Sequence, residues 1–188
     1  VSSMTVEFYL RLNDSASGTQ MVISQSDDAI GGPDWHIQVV DAWSLARLQW
    51  HEGQDAGNVG DLDNAITSDL LTAGVTHHVA FVRSVDGEGN VTGRWFIDGE
   101  PGSVATLESP MGLELTTRPI YLGSQAGSAL FLDGFIDELR ISSAAMYGDA
   151  PFTPGSIEET PETLGLYRFD VGAGTWAYPE LWGSLPPM

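Results

Sequence analysis

Apolar and polar residues alternate with a period of two along much of the chain. From Thr5 to Asn13 every second side chain is apolar, as in a β-strand that buries one face. Similar short segments recur between turns rich in Gly, Asp, Asn and Pro, and no long stretch has the 3.6-residue period of an amphipathic helix. The pattern predicts strands at residues 5–13, 19–26, 35–40, 45–51, 67–71, 75–84, 91–98, 103–107, 118–123, 130–142 and 164–170. Many short strands with frequent turns predict an all-β fold, a two-sheet antiparallel β-sandwich.

The longest strand-like run, residues 130–143, contains one unusual carboxylate. From Phe135 onward the alternation places Asp137 on the same face as Phe135, Leu139 and Ile141. A carboxylate on an apolar face is costly unless it is paired or fully hydrogen-bonded. We therefore expect Asp137 to be a buried structural acid whose partner is an Arg, a His, backbone N–H groups or a metal ion.

Several segments resemble, in the same order, the signature strands of the LamG-like, concanavalin A-like jelly roll. They are Thr5–Leu12, His77–Arg83 with Trp95–Gly99, Leu122–Ser124, and Gly-Phe-Ile-Asp-Glu-Leu-Arg-Ile at residues 134–141. The resemblance covers residues 4–170 and implies a jelly-roll domain over residues 1–170. Because the family is functionally broad, the resemblance implies a fold more firmly than an activity. Residues 164–174 resemble a strand that often opens such domains, so here they either close the sandwich from the C-terminal side or begin a second repeat.

Residues 171–188 are predicted to form a tail outside the jelly roll. From residue 175 onward the tail holds Trp176, Tyr178, Trp182 and three prolines, so it cannot be a central strand. It either packs on its own domain or is an arm that docks on a neighbouring subunit. In the second case the chain forms a homo-oligomer through residues 175–188.

The chain is strongly acidic. Its 188 residues include 26 Asp and Glu against 7 basic residues, all of them Arg, so the formal net charge is −19. This charge excludes nucleic acid and an anionic membrane surface as partners, and no apolar run approaches the ~18 residues that suggest a membrane span. A solubilising surface, a high-salt or marine environment, and divalent-cation binding each explain the charge.

Motifs for catalysis are missing from the sequence. The glucanases of the jelly-roll superfamily carry a Glu-x-Asp-x-Glu strand, whose carboxylates share one strand face and flank the glycosidic bond. No such motif occurs here, and the chain also lacks Cys and the Gly-x-Ser-x-Gly nucleophile elbow. We therefore expect a protein without enzymatic activity.

Calcium is the cofactor that the loops suggest. Asp61 and Asp63 place carboxylate oxygens in a Gly-, Asp- and Asn-rich loop, and oxygen ligands are those that calcium prefers. The Glu-Gln-Asp cluster with which pentraxins bind calcium is absent, so that site is not implied. His77 and His78 are adjacent in a strand and point to opposite faces, so they cannot bind one metal ion together.

The segments Trp35–Val40 and Leu45–His51 are predicted to pair as a hairpin. In the register that separates apolar from polar residues, Trp35 pairs with Trp50 on one face and His36 pairs with Gln49 on the other. The polar face carries His36, Gln38, Arg47, Gln49 and His51. These side chains suit a hydroxyl-rich ligand because they offer donors and acceptors at fixed positions. An ordinary solvated sheet face would show the same pattern.

Together these features predict a non-enzymatic surface-binding or adhesion module that binds a glycan. The alternative is a structural subunit or decoration protein of a virion or extracellular appendage, whose partners are neighbouring protein subunits. Both hypotheses place the protein outside the cell or on a virion surface. A glycan binder should present a polar and aromatic patch on a sheet face or a loop rim.

Overall fold

The computed structural model describes residues 3–26, 33–40, 45–52, 66–107, 119–125, 127 and 129–170. In these ranges the chain forms strands and no helix, so none that could cross a membrane. The strands are β1 (Met4–Leu12), β2 (Gln20–Ser26), β3 (Pro33–Val40), β4 (Leu45–Glu52), β5 (Ile66–Thr67), β6 (Leu71–Thr72), β7 (Thr76–Val85), β8 (Val91–Ile97), β9 (Glu100–Pro101), β10 (Ala105–Thr106), β11 (Ile120–Leu122), β12 (Gly134–Ser142) and β13 (Thr163–Tyr167). The all-β prediction is confirmed.

The strands pair into two antiparallel sheets. The first sheet has the order β10-β8-β7-β1-β12-β13, with β9 beside β8. The second has the order β11-β2-β3-β4-β5, with β6 beside β4. The early strand β1 lies between β7 and β12, so strands from both halves of the chain share one sheet. Because β13 pairs with β12, this late segment closes the first sheet from the C-terminal side.

Apolar side chains from both sheets fill the space between them. Trp35 stacks on Trp50 with 5.1 Å between ring centroids, and Trp50 stacks on Phe81 of the facing sheet at 4.4 Å. All three rings are fully buried. Each buried aromatic ring removes roughly 150–250 Å² from water, worth about 4–6 kcal/mol before the loss of chain entropy is counted. This aromatic column therefore holds the two sheets face to face.

The hairpin of β3 and β4 forms, but its register differs by two residues from the predicted one. His36 pairs with His51 and Gln38 pairs with Gln49, whereas the predicted register pairs His36 with Gln49. Since side chains alternate with a period of two, a shift of two residues leaves every side chain on its predicted face. The apolar set therefore still points into the core, and the polar set points outward.

Asp137 is exposed, so the prediction of a buried structural acid is wrong. Glu7 of β1 pairs with Arg140 of β12, but Tyr9 pairs with Asp137, so β12 contains one extra residue at this point. This β-bulge places Glu138 in the left-handed region, at a φ of 48°. The extra residue reverses the alternation along β12. The apolar residues after the bulge therefore point to the core, while Asp137 points outward.

Candidate functional site

The predicted polar strip lies on the outer face of the second sheet and is mostly buried. The buried members are His36, Gln38, Gln49 and His51. Arg47 is half-buried and donates a hydrogen bond to the carbonyl oxygen of Ser68 at 3.2 Å. The rings of His36 and His51 stack with 4.6 Å between centroids. The structure thus brings the predicted residues together, but they pack on one another and are not presented to solvent.

His36 shows most clearly that this strip is enclosed. The side chain is 1% exposed, and neither ring nitrogen has a hydrogen-bond partner within the described part of the chain. Burial and the charge of the adjacent His51 lower the pKa of His36 to about 3. The Gln38 side chain acts in the opposite direction but does not offset this lowering. The imidazole is therefore neutral at physiological pH, and it has no open path to a ligand.

An open groove lies on the outer face of the first sheet, across β7, β1 and β12. It has a volume of about 550 Å³ and is lined by Tyr9, Arg11, Thr76, Phe135, Asp137, Glu138 and Ser156. Strand pairing explains why these residues meet. Arg11 lies between Thr76 and Phe135 in one cross-strand row, and Tyr9 lies beside Asp137 in the next. The groove is therefore built on three paired strands, with the bulge residues at its edge.

Phe135 gives the groove an apolar platform. Its side chain is 63% exposed, although a ring of this size is ordinarily buried. Tyr9 lies in the neighbouring row, half-buried, and its hydroxyl donates to the carbonyl oxygen of Gly155 at 2.9 Å. Phe131 is equally exposed at 63%, but it does not line the groove. The groove thus combines an exposed aromatic face with a fixed tyrosine.

Arg11 is the cation that lines the groove. It is exposed, and within the described ranges its guanidinium has no ion pair and no hydrogen bond. The other described arginines each contact a carboxylate or carbonyl oxygen: Arg47, Arg83, Arg94, Arg140 and Arg168. A guanidinium offers five N–H donors in a fixed plane. In a chain of net charge −19, an arginine left without a carboxylate partner is therefore available to a ligand.

Two carboxylates stand at the bulge, and they differ in their freedom. Glu138 accepts a hydrogen bond from the backbone N–H of Ile157 at 2.9 Å and lies 3.8 Å from Arg168. Asp137 is exposed, and from the described part of the chain it accepts one hydrogen bond, from the backbone N–H of Glu138 at 3.0 Å. Glu138 therefore helps to hold the fold, whereas Asp137 keeps an oxygen that can accept from a ligand. Arg11 and Asp137 together supply a donor and an acceptor around Phe135.

A buried charged cluster lies beside the groove and fixes the strands beneath it. Glu7 accepts hydrogen bonds from Arg140 Nε at 2.6 Å and from the Tyr147 hydroxyl at 2.5 Å, and His78 Nε2 lies 3.4 Å away. Burial alone would raise the pKa of Glu7, but the hydrogen bonds of His78 and Tyr147 and the charge of Arg140 outweigh it and leave the pKa lowered. Glu7 is therefore ionised at neutral pH and locks β1 to β12.

The segment of residues 152–158 is fixed across the same sheet face. Besides the contacts of Gly155 and Ile157 already described, the carbonyl oxygen of Glu158 accepts from Arg140. The Phe152 N–H donates to the carbonyl oxygen of Gly99 at 3.0 Å. At Gly99, φ is 82° and an added Cβ would lie 1.9 Å from the Phe152 carbonyl oxygen, so glycine is required. This segment forms a fixed rim to one side of the groove.

Sequence reasoning missed the groove because the bulge was not foreseen. The alternation along β1 did place Tyr9 and Arg11 on its polar face, and that was the available signal. The groove needs Asp137 on the same face, which the uninterrupted alternation of β12 assigned to the core. One extra residue in β12 is therefore the reason that alternation alone did not place Asp137 in this groove.

Metal binding is not supported by the described residues. Within the ranges given above, no three His, Cys, Asp or Glu side chains are grouped so that they could hold a metal ion. The predicted calcium ligands Asp61 and Asp63 lie outside those ranges, as does the tail of residues 171–188. Calcium binding and the docking arm therefore stay predictions.

Comparisons with known proteins agree with this architecture. The family model described as the concanavalin A-like lectin/glucanases superfamily matches residues 1–149. A candidate carbohydrate-binding protein from Bacteroides ovatus superposes with a TM-score of 0.63 at 15% identity, over 95% of this chain and 49% of that one. A heptameric SAP-like pentraxin from Limulus polyphemus superposes with a TM-score of 0.53 at 13% identity, over 78% of this chain and 66% of that one. The chain thus spans about half the length of the first structure. At such low sequence identities, the superpositions show a shared fold and nothing more. Among curated proteins, none matches the sequence.

Proposed function

This chain belongs to the concanavalin A-like lectin/glucanase superfamily, and from its open groove we propose that it is a non-enzymatic carbohydrate-binding module. The observation that carries the proposal is one juxtaposition on the outer face of the first sheet. A single groove of about 550 Å³ is lined by exposed Phe135, by Arg11, which has no ion pair among the described residues, and by Asp137, which there accepts from the Glu138 N–H alone. We further propose that the module acts outside the cell, where glycans of surfaces and matrices are accessible.

The chemistry of a sugar ring fits these three side chains. A pyranose presents C–H groups on one face and hydroxyls around its edge, so the flat ring of Phe135 can cover the apolar face. Arg11 can donate to hydroxyl oxygens, and Asp137 can accept from hydroxyl hydrogens. Each hydroxyl is both donor and acceptor, which is why a donor and an acceptor beside one aromatic platform suit it.

The groove is also rigid, which favours binding of a small polar ligand. Its floor consists of three paired strands, and the ionised Glu7 is hydrogen-bonded to Arg140 beside it, which ties β1 to β12. Side chains held on paired strands lose less conformational freedom on binding than side chains on free loops. Arg11 and Phe135 still have to be ordered by the ligand, so we expect the modest affinity of a single sugar site.

The arrangement of carboxylates favours binding over hydrolysis. A glycosidase needs an acid and a second carboxylate on opposite sides of the scissile bond. In the groove, Glu138 is held by the Ile157 N–H and lies next to Arg168, and Asp137 is its neighbour in the chain. This leaves Asp137 as the one carboxylate free to meet a substrate among the residues that line the groove. The proposal is therefore a site that holds a glycan without cleaving it.

Glycan-array binding of the whole chain tests this function. Every glycan bound by the wild type is then measured with Arg11→Ala and, as a matched control, with Arg47→Ala from the enclosed strip of the second sheet. We expect at least a tenfold loss for Arg11→Ala, since hydrogen bonds to charged groups contribute about 1.5–3 kcal/mol and 1.4 kcal/mol is tenfold. Bound oligosaccharides should be recovered intact.

Three other outcomes would indicate a different site or a different function. Loss of binding with Arg47→Ala but not with Arg11→Ala would place the site on the second sheet. Shortened oligosaccharides would show an enzyme. If no glycan is bound, the proposal fails, and a structural subunit of a virion or extracellular appendage becomes the better hypothesis.

A further inference from the structure

We propose that the groove of the first sheet selects uncharged glycans and discriminates against those that carry carboxylate or sulfate groups. This inference names the ligand class of the same site, so it rests on the proposed function. It follows from the charges that line the groove and surround it, whereas glycan binding itself follows from the aromatic platform and the hydrogen-bonding groups.

The groove contains more negative than positive charge. Of the described residues that line it, Asp137 and Glu138 are acidic and Arg11 is the one cation. Glu158 lies beside the same rim with 73% of its side chain exposed, and Arg168 lies near both Glu138 and Glu158 at 3.8 and 3.6 Å. Among the described residues, both further arginines at the rim are thus already engaged: Arg168 with these two carboxylates, and Arg140 with Glu7 and the carbonyl oxygen of Glu158. An anionic sugar would therefore meet an excess of negative charge.

The rest of the chain adds to this repulsion. The formal net charge is −19, and the chain holds seven arginines and no lysine. Outside the groove, the described arginines contact protein oxygens, so they are not a reserve of positive charge for a ligand. A neutral sugar feels no net force from this field, whereas each negative group on a glycan is repelled by it.

Asp137 is the residue on which the selectivity should depend most. An ionised carboxylate can accept from a sugar hydroxyl, but it repels a sugar carboxylate at the same distance. Asp137→Asn keeps the shape and an accepting oxygen while removing the charge. Because the side chain is exposed and its one described contact is with the Glu138 N–H, which Asn can also make, the variant should fold normally.

The test is an array that prints each neutral glycan beside its sialylated, uronic-acid and sulfated forms. We expect the wild type to bind neutral members at least tenfold more tightly than their acidic counterparts. Asp137→Asn should reduce that ratio at least threefold. Glu88→Gln removes one charge from the exposed turn between β7 and β8, away from the groove, and should leave the ratio unchanged.

Ionic strength gives a second readout on the same proteins. Screening shortens the reach of charge from about 10 Å at 0.1 M salt to about 3 Å at 1 M, so the ratio should shrink as sodium chloride is raised. Two results would overturn the selectivity without affecting the proposal of glycan binding. One is equal or tighter binding of acidic glycans by the wild type, and the other is an unchanged neutral-to-acidic ratio in Asp137→Asn. Absence of binding to every member, neutral and acidic, would overturn the proposed function itself.

Discussion

Arg83 and Glu52 form a bidentate ion pair inside the sandwich. Arg83 Nε donates to Glu52 Oε2 at 2.8 Å, and Arg83 Nη2 donates to Oε1 at 2.9 Å. Both side chains are fully buried, and the indole N–H of Trp50 donates to the same carboxylate at 3.0 Å. Since β7 and β4 belong to different sheets, this pair joins the two layers of the sandwich.

Removing one partner of this pair should destabilise the protein strongly. Arg83→Met leaves the Glu52 carboxylate buried without its cation, so the free energy of unfolding should fall by about 3–5 kcal/mol. The double variant Arg83→Met/Glu52→Leu leaves no charge buried at this position and should lose less than the single variant. Urea denaturation of the three proteins measures both values. A single variant as stable as the wild type would contradict a buried, paired arginine.

The bulge in β12 predicts opposite effects for two acidic residues. Asp137→Ala changes an exposed side chain, so the free energy of unfolding should stay within about 0.5 kcal/mol of the wild type. Glu7→Ala leaves Arg140 buried without its carboxylate and should cost about 3–5 kcal/mol. Thermal and urea unfolding compare the two variants. If Asp137→Ala proved the more damaging, the register of β1 against β12 would be wrong.

The buried His36 predicts an acid-sensitive contribution to stability. Its pKa falls from 6.5 to about 3 on folding because of burial and the adjacent His51. The unfolded chain then binds more protons than the folded one between these values. The contribution of neutral His36 to the free energy of unfolding is therefore complete above pH 6.5. It is lost as the pH falls toward 3, and the free energy of unfolding then decreases by up to about 1.4 kcal/mol per pH unit.

The variant His36→Gln should remove that slope. Urea denaturation between pH 4.5 and 6.5 gives the free energy of unfolding of both proteins. Glu7, whose pKa is lowered from 4.5, adds its own dependence in the acidic part of this window, but it does so in both proteins and cancels in their difference. The wild type minus variant difference should grow with pH across the window. A difference that is constant with pH would show that His36 is protonated as readily in the folded protein as in the unfolded chain.

The net charge predicts that salt stabilises the fold. At −19 the exposed carboxylates repel one another, and screening weakens this repulsion as the Debye length falls from about 10 Å at 0.1 M to about 3 Å at 1 M. The melting temperature should therefore rise with sodium chloride over this range. The buried pair of Arg83 and Glu52 is screened much less and should not reverse the trend. An unchanged or falling melting temperature would rule out the high-salt interpretation.

Period-two alternation predicted most of the fold because a sandwich buries one face of each strand. The alternation located β1, β7, β8 and the β3–β4 hairpin, and the resemblance to the jelly roll supplied their arrangement. It did not fix the register of the hairpin. Shifts of two residues preserve the faces, so the pattern alone does not decide whether Trp35 pairs with Trp50, as predicted, or with Glu52, as found.

The candidate site was harder to predict for two physical reasons. Polar side chains on the second sheet looked solvent-facing, because alternation shows which face a residue occupies and not how deeply its side chain is buried there. The bulge at Asp137 and Glu138 reversed the alternation of β12, and a single inserted residue leaves little trace in composition. The alternation of β1 placed Arg11 and Tyr9 on the polar, outer face, which is correct. Their cross-strand partners Phe135 and Asp137 were assigned to the core face, which is wrong.

The most direct test of the proposed site compares two phenylalanines of equal exposure. Phe135 lines the groove and Phe131 does not, and each is 63% exposed. Isothermal titration of a neutral glycan from the array should show at least a tenfold loss of affinity for Phe135→Ala, since one aromatic stacking contact and its buried area are removed. Phe131→Ala should bind as tightly as the wild type. Unchanged affinity in Phe135→Ala, or an equal loss in both variants, would contradict a sugar site on the outer face of the first sheet.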